Sequence, residues 1–110
     1  MKSINSIQDL NQVLAQDKPI LLDFYADWCG PCQVLLPTVE KIANDLEGKV
    51  EVRKVNVDNN QEIASDFGIR SIPALFFIKD GKIVDKAVGV VSEHELRGKL
   101  NELSTETATA

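Results

Sequence analysis

Cysteine and histidine are scarce in this chain of 110 residues, which holds two cysteines, Cys29 and Cys32, and one histidine, His94. A structural zinc site needs four ligands, typically two cysteine pairs or one pair with two histidines. A single chain with this inventory falls short, so no bound metal is expected. His94 reads as a solvated residue on a helix face. No apolar run approaches the roughly 20 residues that cross a bilayer, and no membrane segment is expected. The N-terminal MKSINSIQDLNQ has no apolar core of the kind a secretory signal needs. The expected address is therefore the cytoplasm, where stable structural disulfides are rare. Blocks of like charge are missing too. With a net charge of −5 there is no basic stripe to hold nucleic acid, and the acidity speaks for solubility. Neither repeats nor internal linkers divide the sequence, so 1–110 is expected to form one domain.

What is present is an ordinary globular pattern. Ser6-Ile-Gln-Asp9 has the form of a capping box, with Ile7, Leu10, Val13 and Leu14 on one helical face. ILLDFYA, residues 20 to 26, is apolar on both faces, as a central strand covered on both sides would be. Leu35, Val39, Ile42 and Leu46 recur at helical spacing up to Gly48, and Pro37 should kink that helix. VEVRKVNVD, residues 50 to 58, reads as a strand. Asn59 or Asn60 can cap a short helix carrying Ile63 and Phe67 and closed by Gly68. ALFFI, residues 74 to 78, is a further strand, and Asp80-Gly81 signals a hairpin into IVDKAV, residues 83 to 88. Ser92-Glu-His-Glu95 opens a last helix lined by Leu96, Leu100 and Leu103. STETATA, residues 104 to 110, is a polar tail expected to fray. Connections through helices imply parallel strand pairs, and the short turn implies an antiparallel one. The expectation is an α/β protein with a mixed sheet sandwiched by helices.

The two cysteines lie within ADWCGPCQ, residues 26 to 33. A crosslink closing so short a loop removes little unfolded-state entropy, so it would contribute little to folding. Reversible chemistry suits the spacing better. Helix positions i and i+3 have Cα atoms ~5 Å apart, within the range a disulfide tolerates. Both redox states can then exist with little backbone movement. Cys29 should sit at the cap or first residue of the helix, with Pro31 near its start. Free N–H groups and the helix dipole favour a thiolate there, by at most ~1.5 pKa units. Asp27 pushes the other way. A modestly stabilised thiolate points to a dithiol that gives electrons away. Cys32, one turn deeper, should be less exposed. The expected division of labour has Cys29 attacking a substrate disulfide and Cys32 then attacking the Cys29 sulfur to release the reduced substrate.

Asp23 is out of place in ILLDFYA. One reading is an edge strand with a solvated face. The other is a buried carboxyl whose pKa desolvation raises, able to take the proton from Cys32 and return it. Lys54 on the next strand is either the counter-charge of Asp23 or a snorkelling surface lysine.

DFYADWCGPC, together with VDNN, IRSIPAL, KDG and the glycine of VGVV, resembles the thioredoxin family from about residue 4 to residue 103. WCGPC, residues 28 to 32, is the family's redox motif unaltered. The resemblance implies the thioredoxin fold, a mixed five-stranded sheet with four helices, and a protein-disulfide reductase acting through Cys29 and Cys32. It implies a cis Ile72-Pro73 bond facing the cysteines, and a flat apolar patch of Trp28, Gly30, Pro31, Ile72, Pro73, Gly89 and Val90 that meets protein substrates. It also implies recharging of the disulfide by a thioredoxin reductase that uses flavin and NADPH, neither of which this chain would bind, and a chain that acts as a monomer. Disulfide isomerase and a thioredoxin-fold binding subunit are the rival functions. The former would favour a charged residue or histidine between the cysteines. Tyr25 stands where many bacterial members carry tryptophan, Gln33 where lysine is common and Ser71 where glycine is frequent. None of these departures touches the sulfur chemistry; they bear on partner preference and on the finer pKa values.

Overall fold

The computed structural model describes the backbone of residues 1–109 and the side chains of residues 1–104. Five strands and four helices follow one another as β1 (Lys2–Ser3), α1 (Ile7–Leu14), β2 (Ile20–Tyr25), α2 (Gly30–Asp45), β3 (Glu51–Asn56), α3 (Gln61–Asp66), β4 (Ala74–Lys79), β5 (Lys82–Val88) and α4 (Glu93–Thr109). The sheet order is β1-β3-β2-β4-β5. β3 runs parallel to both β1 and β2, while β4 is antiparallel to β2 and to β5. This is the mixed five-stranded sheet with four helices that the resemblance implies.

β2 lies at the centre, and all six of its residues are buried. Its apolar character on both faces follows from that position, since each face has a core of its own. Leu21 points into one core with Leu75 and Phe77, covered by Leu35, Val39 and Ile42 of α2 and by Leu96 and Leu100 of α4. Leu22 and Phe24 enter the other with Phe76, Leu10, Val13 and Ile63. There Phe24, Phe67 and Phe76 pack as a ring trio with centroids 5.1–5.4 Å apart.

Local signals act as their chemistry dictates. Ser6 Oγ accepts the Asp9 N–H at 3.1 Å, and Ser92 Oγ accepts the Glu95 N–H at 3.1 Å. The reciprocal half of the first box is shifted by one residue, because Asp9 Oδ2 accepts from the N–H of Asn5 rather than from that of Ser6. Asp80 and Gly81 take φ of 54° and 75°, the two positive values that a two-residue hairpin of matching twist requires.

Four elements depart from the sequence reading. Only four strands are visible in the residue pattern; β1 adds a two-residue pairing, Lys2 with Arg53 and Ser3 with Lys54, too short to show alternation. β4 does not continue the parallel trend despite the helix before it. α3 has six residues and spans only about 9 Å at 1.5 Å per residue, against about 20 Å for a six-residue strand. With so short a helix between them, β4 starts near the end where β3 stops and runs back beside β2. Asn60 is the N-cap of α3, but its side chain makes no capping bond. Its Nδ2 donates to the carbonyl of Asn56 at 3.0 Å instead, closing the preceding loop. α2 continues through Pro37, as its helical spacing predicts, whereas the backbone of α4 runs on past Leu103 to Thr109. The side chains of 105–110 and the whole of Ala110, which make up most of the expected polar tail, lie outside the described residues.

Candidate active site

α2 begins where β2 has ended, beyond a short loop at the C-terminal edge of the sheet. Cys29 is its N-cap, with extended backbone, and proline stands in the first turn at Pro31. Proline is tolerated there because the first N–H groups of a helix have no intrahelical acceptor. One of those spare donors is used by sulfur: the N–H of Cys32 donates to Cys29 Sγ at 3.2 Å. The two cysteines are joined as a disulfide with Cα atoms 5.3 Å apart, in line with the helical i, i+3 spacing. Both are buried, Cys29 with 5% of its surface exposed and Cys32 with 1%. They pack with Tyr25 and Ala26, and Val57 and Ile72 close the cluster.

The Ile72-Pro73 peptide is cis, as the resemblance implies. Ile72 brings its carbonyl oxygen to 3.8 Å from Cys29 Sγ, so residues far apart in sequence meet at the sulfur. The carbonyl of Pro73 accepts the N–H of Gly89 at 2.9 Å, which ties the third segment to the second. Gly89 has φ of +92°, a conformation that side chains rarely adopt, so glycine is required there by the turn itself. Around the disulfide, Trp28, Gly30, Pro31 and Val90 are exposed, Ile72 and Gly89 are half-buried, and Pro73 is buried. Trp28 leaves 71% of its surface open.

Asp23 occupies the central strand, which removes the edge-strand reading. Alternation along β2 puts it on the face of Leu21, beneath α2. It is 1% exposed, and neither carboxylate oxygen has a hydrogen-bond partner among the described residues. Loss of hydration disfavours the charged form and pushes its pKa from 3.8 up to about 7, against a smaller opposing pull from the charge of Lys54. Lys54 is the register neighbour of Asp23 on β3. Its ammonium does not sit on the carboxylate; it lies 5.7 Å from the centroid of the Tyr25 ring. The lysine therefore biases the acid without pairing with it. His94 is exposed on α4. Among the described residues no group of three or more His, Cys, Asp or Glu could hold a metal ion, and no helix is long and apolar enough to cross a membrane.

Two features escaped the sequence reading. Trp28 Nε1–H donates to Asp58 Oδ2 at 2.9 Å, which orients the exposed indole. Asp58 is itself held in a turn in which Asn56 Oδ1 accepts the Asp58 N–H at 2.9 Å. The available signal was the indole N–H, which needs an acceptor wherever the ring is fixed. Val34 and Val88 are also large exposed apolar residues, one on α2 and the other next to Gly89.

Comparison with known proteins agrees with this geometry. The thioredoxin family profile matches residues 3–102. The chain is 47% identical over 91 residues to a thioredoxin of Chlorobaculum thiosulfatiphilum, covering 83% of this chain and 84% of the relative. It is 48% identical to thioredoxin 1 of a Nostoc species, covering 83% and 85%. Among solved structures, a mutant thioredoxin from Halobacterium salinarum superposes with a TM-score of 0.86 at 37% identity, covering 94% of this chain and 89% of that one. The thioredoxin of Fasciola hepatica gives 0.85 at 36% identity, covering 94% and 99%. A Cys-Gly-Pro-Cys disulfide that caps a helix at the edge of a five-stranded sheet, in a chain matched over nearly its whole length, places this protein in the thioredoxin family of thiol-disulfide oxidoreductases.

Proposed function

We propose that Cys29 is the attacking thiol and Cys32 the resolving one in the reduction of protein disulfides. The carrying observation is the position of Cys29 Sγ, which caps α2 and accepts the Cys32 N–H. In the reduced protein the same donor and the helix terminus favour a thiolate at Cys29. That thiolate attacks one sulfur of a substrate disulfide, forming a mixed disulfide and expelling the other substrate sulfur as thiolate. Cys32 loses its proton and attacks Cys29 Sγ. The Cys29–Cys32 bond forms, the mixed disulfide breaks, and the second substrate sulfur leaves as thiolate. Two electrons pass from the protein to the substrate.

Asp23 takes the Cys32 proton during the second step, directly or through water, and returns it when the disulfide is reduced again. A carboxyl titrating at about 7 can do both near neutral pH. Lys54 holds that titration down by its charge. Trp28, Gly30, Pro31, Ile72, Pro73, Gly89 and Val90 form the substrate-docking face. The backbone N–H of Ile72 has no hydrogen-bond partner among the described residues, which leaves it free to pair with an extended substrate segment. The oxidised protein is recharged by a thioredoxin reductase carrying flavin and using NADPH. The working form is a monomer in the cytoplasm.

The test is reduction of insulin disulfides with dithiothreitol as the electron source. Cys29→Ser should be inert. Cys32→Ser should accumulate mixed disulfides with the substrate, seen as a reducible mass increase. Mixed disulfides on Cys32 in the Cys29→Ser variant would reverse the assignment.

A further inference from the structure

A groove of about 370 Å³ runs beside the docking face, between the loop that leads into β4 and the edge strand β5. Arg70, Ser71, Ala74, Lys86 and Val88 are among its lining residues. It starts one residue from Ile72, whose carbonyl is beside Cys29 Sγ, and ends one residue from Gly89. The sequence carries 17 acidic and 12 basic side chains, yet no carboxylate lines this groove and two cations do. Neither Arg70 nor Lys86 forms an ion pair with a described residue. Lys86 instead rests with its ammonium 5.4 Å from the centroid of the Phe76 ring, which holds it over the sheet without neutralising it. Arg70 is exposed, with its guanidinium fork unused. At the opposite side of the disulfide the charge has the other sign. Asp58 holds the Trp28 indole and Asp27 precedes it in the chain, so both exposed carboxylates flank the tryptophan.

This inference rests on the docking face described above and sharpens it. We propose that the Arg70–Lys86 groove is a specificity subsite for an acidic side chain of the substrate, so that the protein favours disulfides whose attacked cysteine has Glu or Asp two or three residues away. An extended segment advances about 3.3 Å per residue. With its cysteine at Cys29 and its backbone along Ile72, such a segment brings its second or third neighbour level with Arg70. A carboxylate there meets a planar fork suited to bidentate contact and a second cation in a groove that Ile69 and Val88 also line. A lysine at the same place meets two like charges. The carboxylates beside Trp28 oppose an acidic residue on the other side, so the preference is directional.

The experiment compares rate constants for reduction of synthetic peptide disulfides by the reduced full-length protein. The peptides differ only in carrying Glu, Gln or Lys at the second or third position, before or after the cysteine. An exposed ion pair changes an equilibrium by up to about 5-fold. With attraction for Glu and repulsion for Lys, the Glu peptide should react roughly 5–20-fold faster than the Lys peptide at low salt, on one side of the cysteine only. The ratio should fall towards one in about 1 M salt. The Arg70→Glu, Lys86→Glu double variant should invert the order. Equal rates for Glu and Lys peptides, with the Gln peptide still reduced, would overturn the subsite and leave the reductase reading intact. A preference that survives the double variant would also overturn it. If the Gln peptide were not reduced at all, the reductase reading would fall and the subsite with it.

Discussion

Asp23 and Glu93 are the same kind of group treated in opposite ways. Glu93 starts α4 at the surface, where Arg97 Nε donates to it at 2.9 Å and Lys41 of α2 stands 3.5 Å away. Those cations hold its pKa below the ordinary value. Asp23 sits beneath α2, with no hydrogen-bond partner, and burial drives its pKa upward. The far end of α2 is thus tied to α4 through charges that are satisfied, since Arg97 also pairs with Asp45 at 2.6 Å. Near the start of the helix lie the disulfide and a carboxyl that is left unsatisfied. The contrast teaches where the fold tolerates a cost. An ion network on the surface adds little to stability, whereas a lone buried carboxylate subtracts a good deal. Packing does not explain the second arrangement; the proton transfer proposed for Asp23 would.

The contrast breaks most sharply if Asp23 is removed. Its folded pKa, about 7, exceeds the unfolded value of 3.8. Below pH 3.8 both states are protonated and the group contributes nothing. Between the two values the folded protein keeps a proton that the unfolded chain has released, so stability falls as pH rises. Above about pH 7 the penalty is complete. At ~1.4 kcal/mol per unit, the roughly three-unit gap corresponds to about 4 kcal/mol. Asp23→Ala removes this penalty and leaves a small cavity, so a net gain of about 2–3 kcal/mol is expected at pH 8 and none at pH 4. Urea unfolding across that range measures it. The same variant should resolve mixed disulfides more slowly at pH 7. A gain that is independent of pH would mean that it does not come from the ionisation of a buried carboxyl.

Lys54 offers a smaller and more specific lever. Its charge opposes the effect of burial on Asp23. Lys54→Met should therefore move the Asp23 titration above about 7, as read from the carboxyl carbon by NMR. The direction decides the matter, since a midpoint that stayed in place or fell would make Lys54 only the partner of the Tyr25 ring.

The same pair of regions shows what a sequence can and cannot reveal. Cys29, Gly30, Pro31 and Cys32 are legible because everything that defines them is local: a proline in the first turn, a cap position, and a three-residue interval that helix geometry converts into bonding distance. Asp23 is legible as an anomaly, a charge inside a strand whose two apolar faces suggest a central place, but only the sheet order decides against an edge strand. The contact of Trp28 with Asp58 bridges 30 residues, and no periodicity encodes it. The meeting of Ile72 with Cys29 bridges 43, and it entered only through family resemblance. Strand β1 and the direction of β4 were hidden for a related reason. Two residues carry no alternation, and hydrophobic pattern does not record the direction in which β4 pairs with β2.

The smallest expected effect belongs to the far end of α2. Arg97→Gln removes the contacts to Glu93 and Asp45, both at the surface, where water and salt compete for the same charges. A slight drop in thermal midpoint should appear at low ionic strength and vanish near 1 M salt, where the screening length is about 3 Å. Glu93 has a folded pKa below its ordinary 4.5, so its share of stability is present above pH 4.5 and disappears as the pH falls through the folded value. The difference between wild type and variant should shrink in the same window. Glu93 should also titrate at higher pH once its main hydrogen-bond donor is gone. Insulin reduction should not change, because Arg97 is on α4 among residues at the opposite end of α2 from Cys29. A loss of stability that resisted salt, or a slower reduction, would show that the two ends of α2 are coupled, and the division between an anchored end and a reactive end would have to be abandoned.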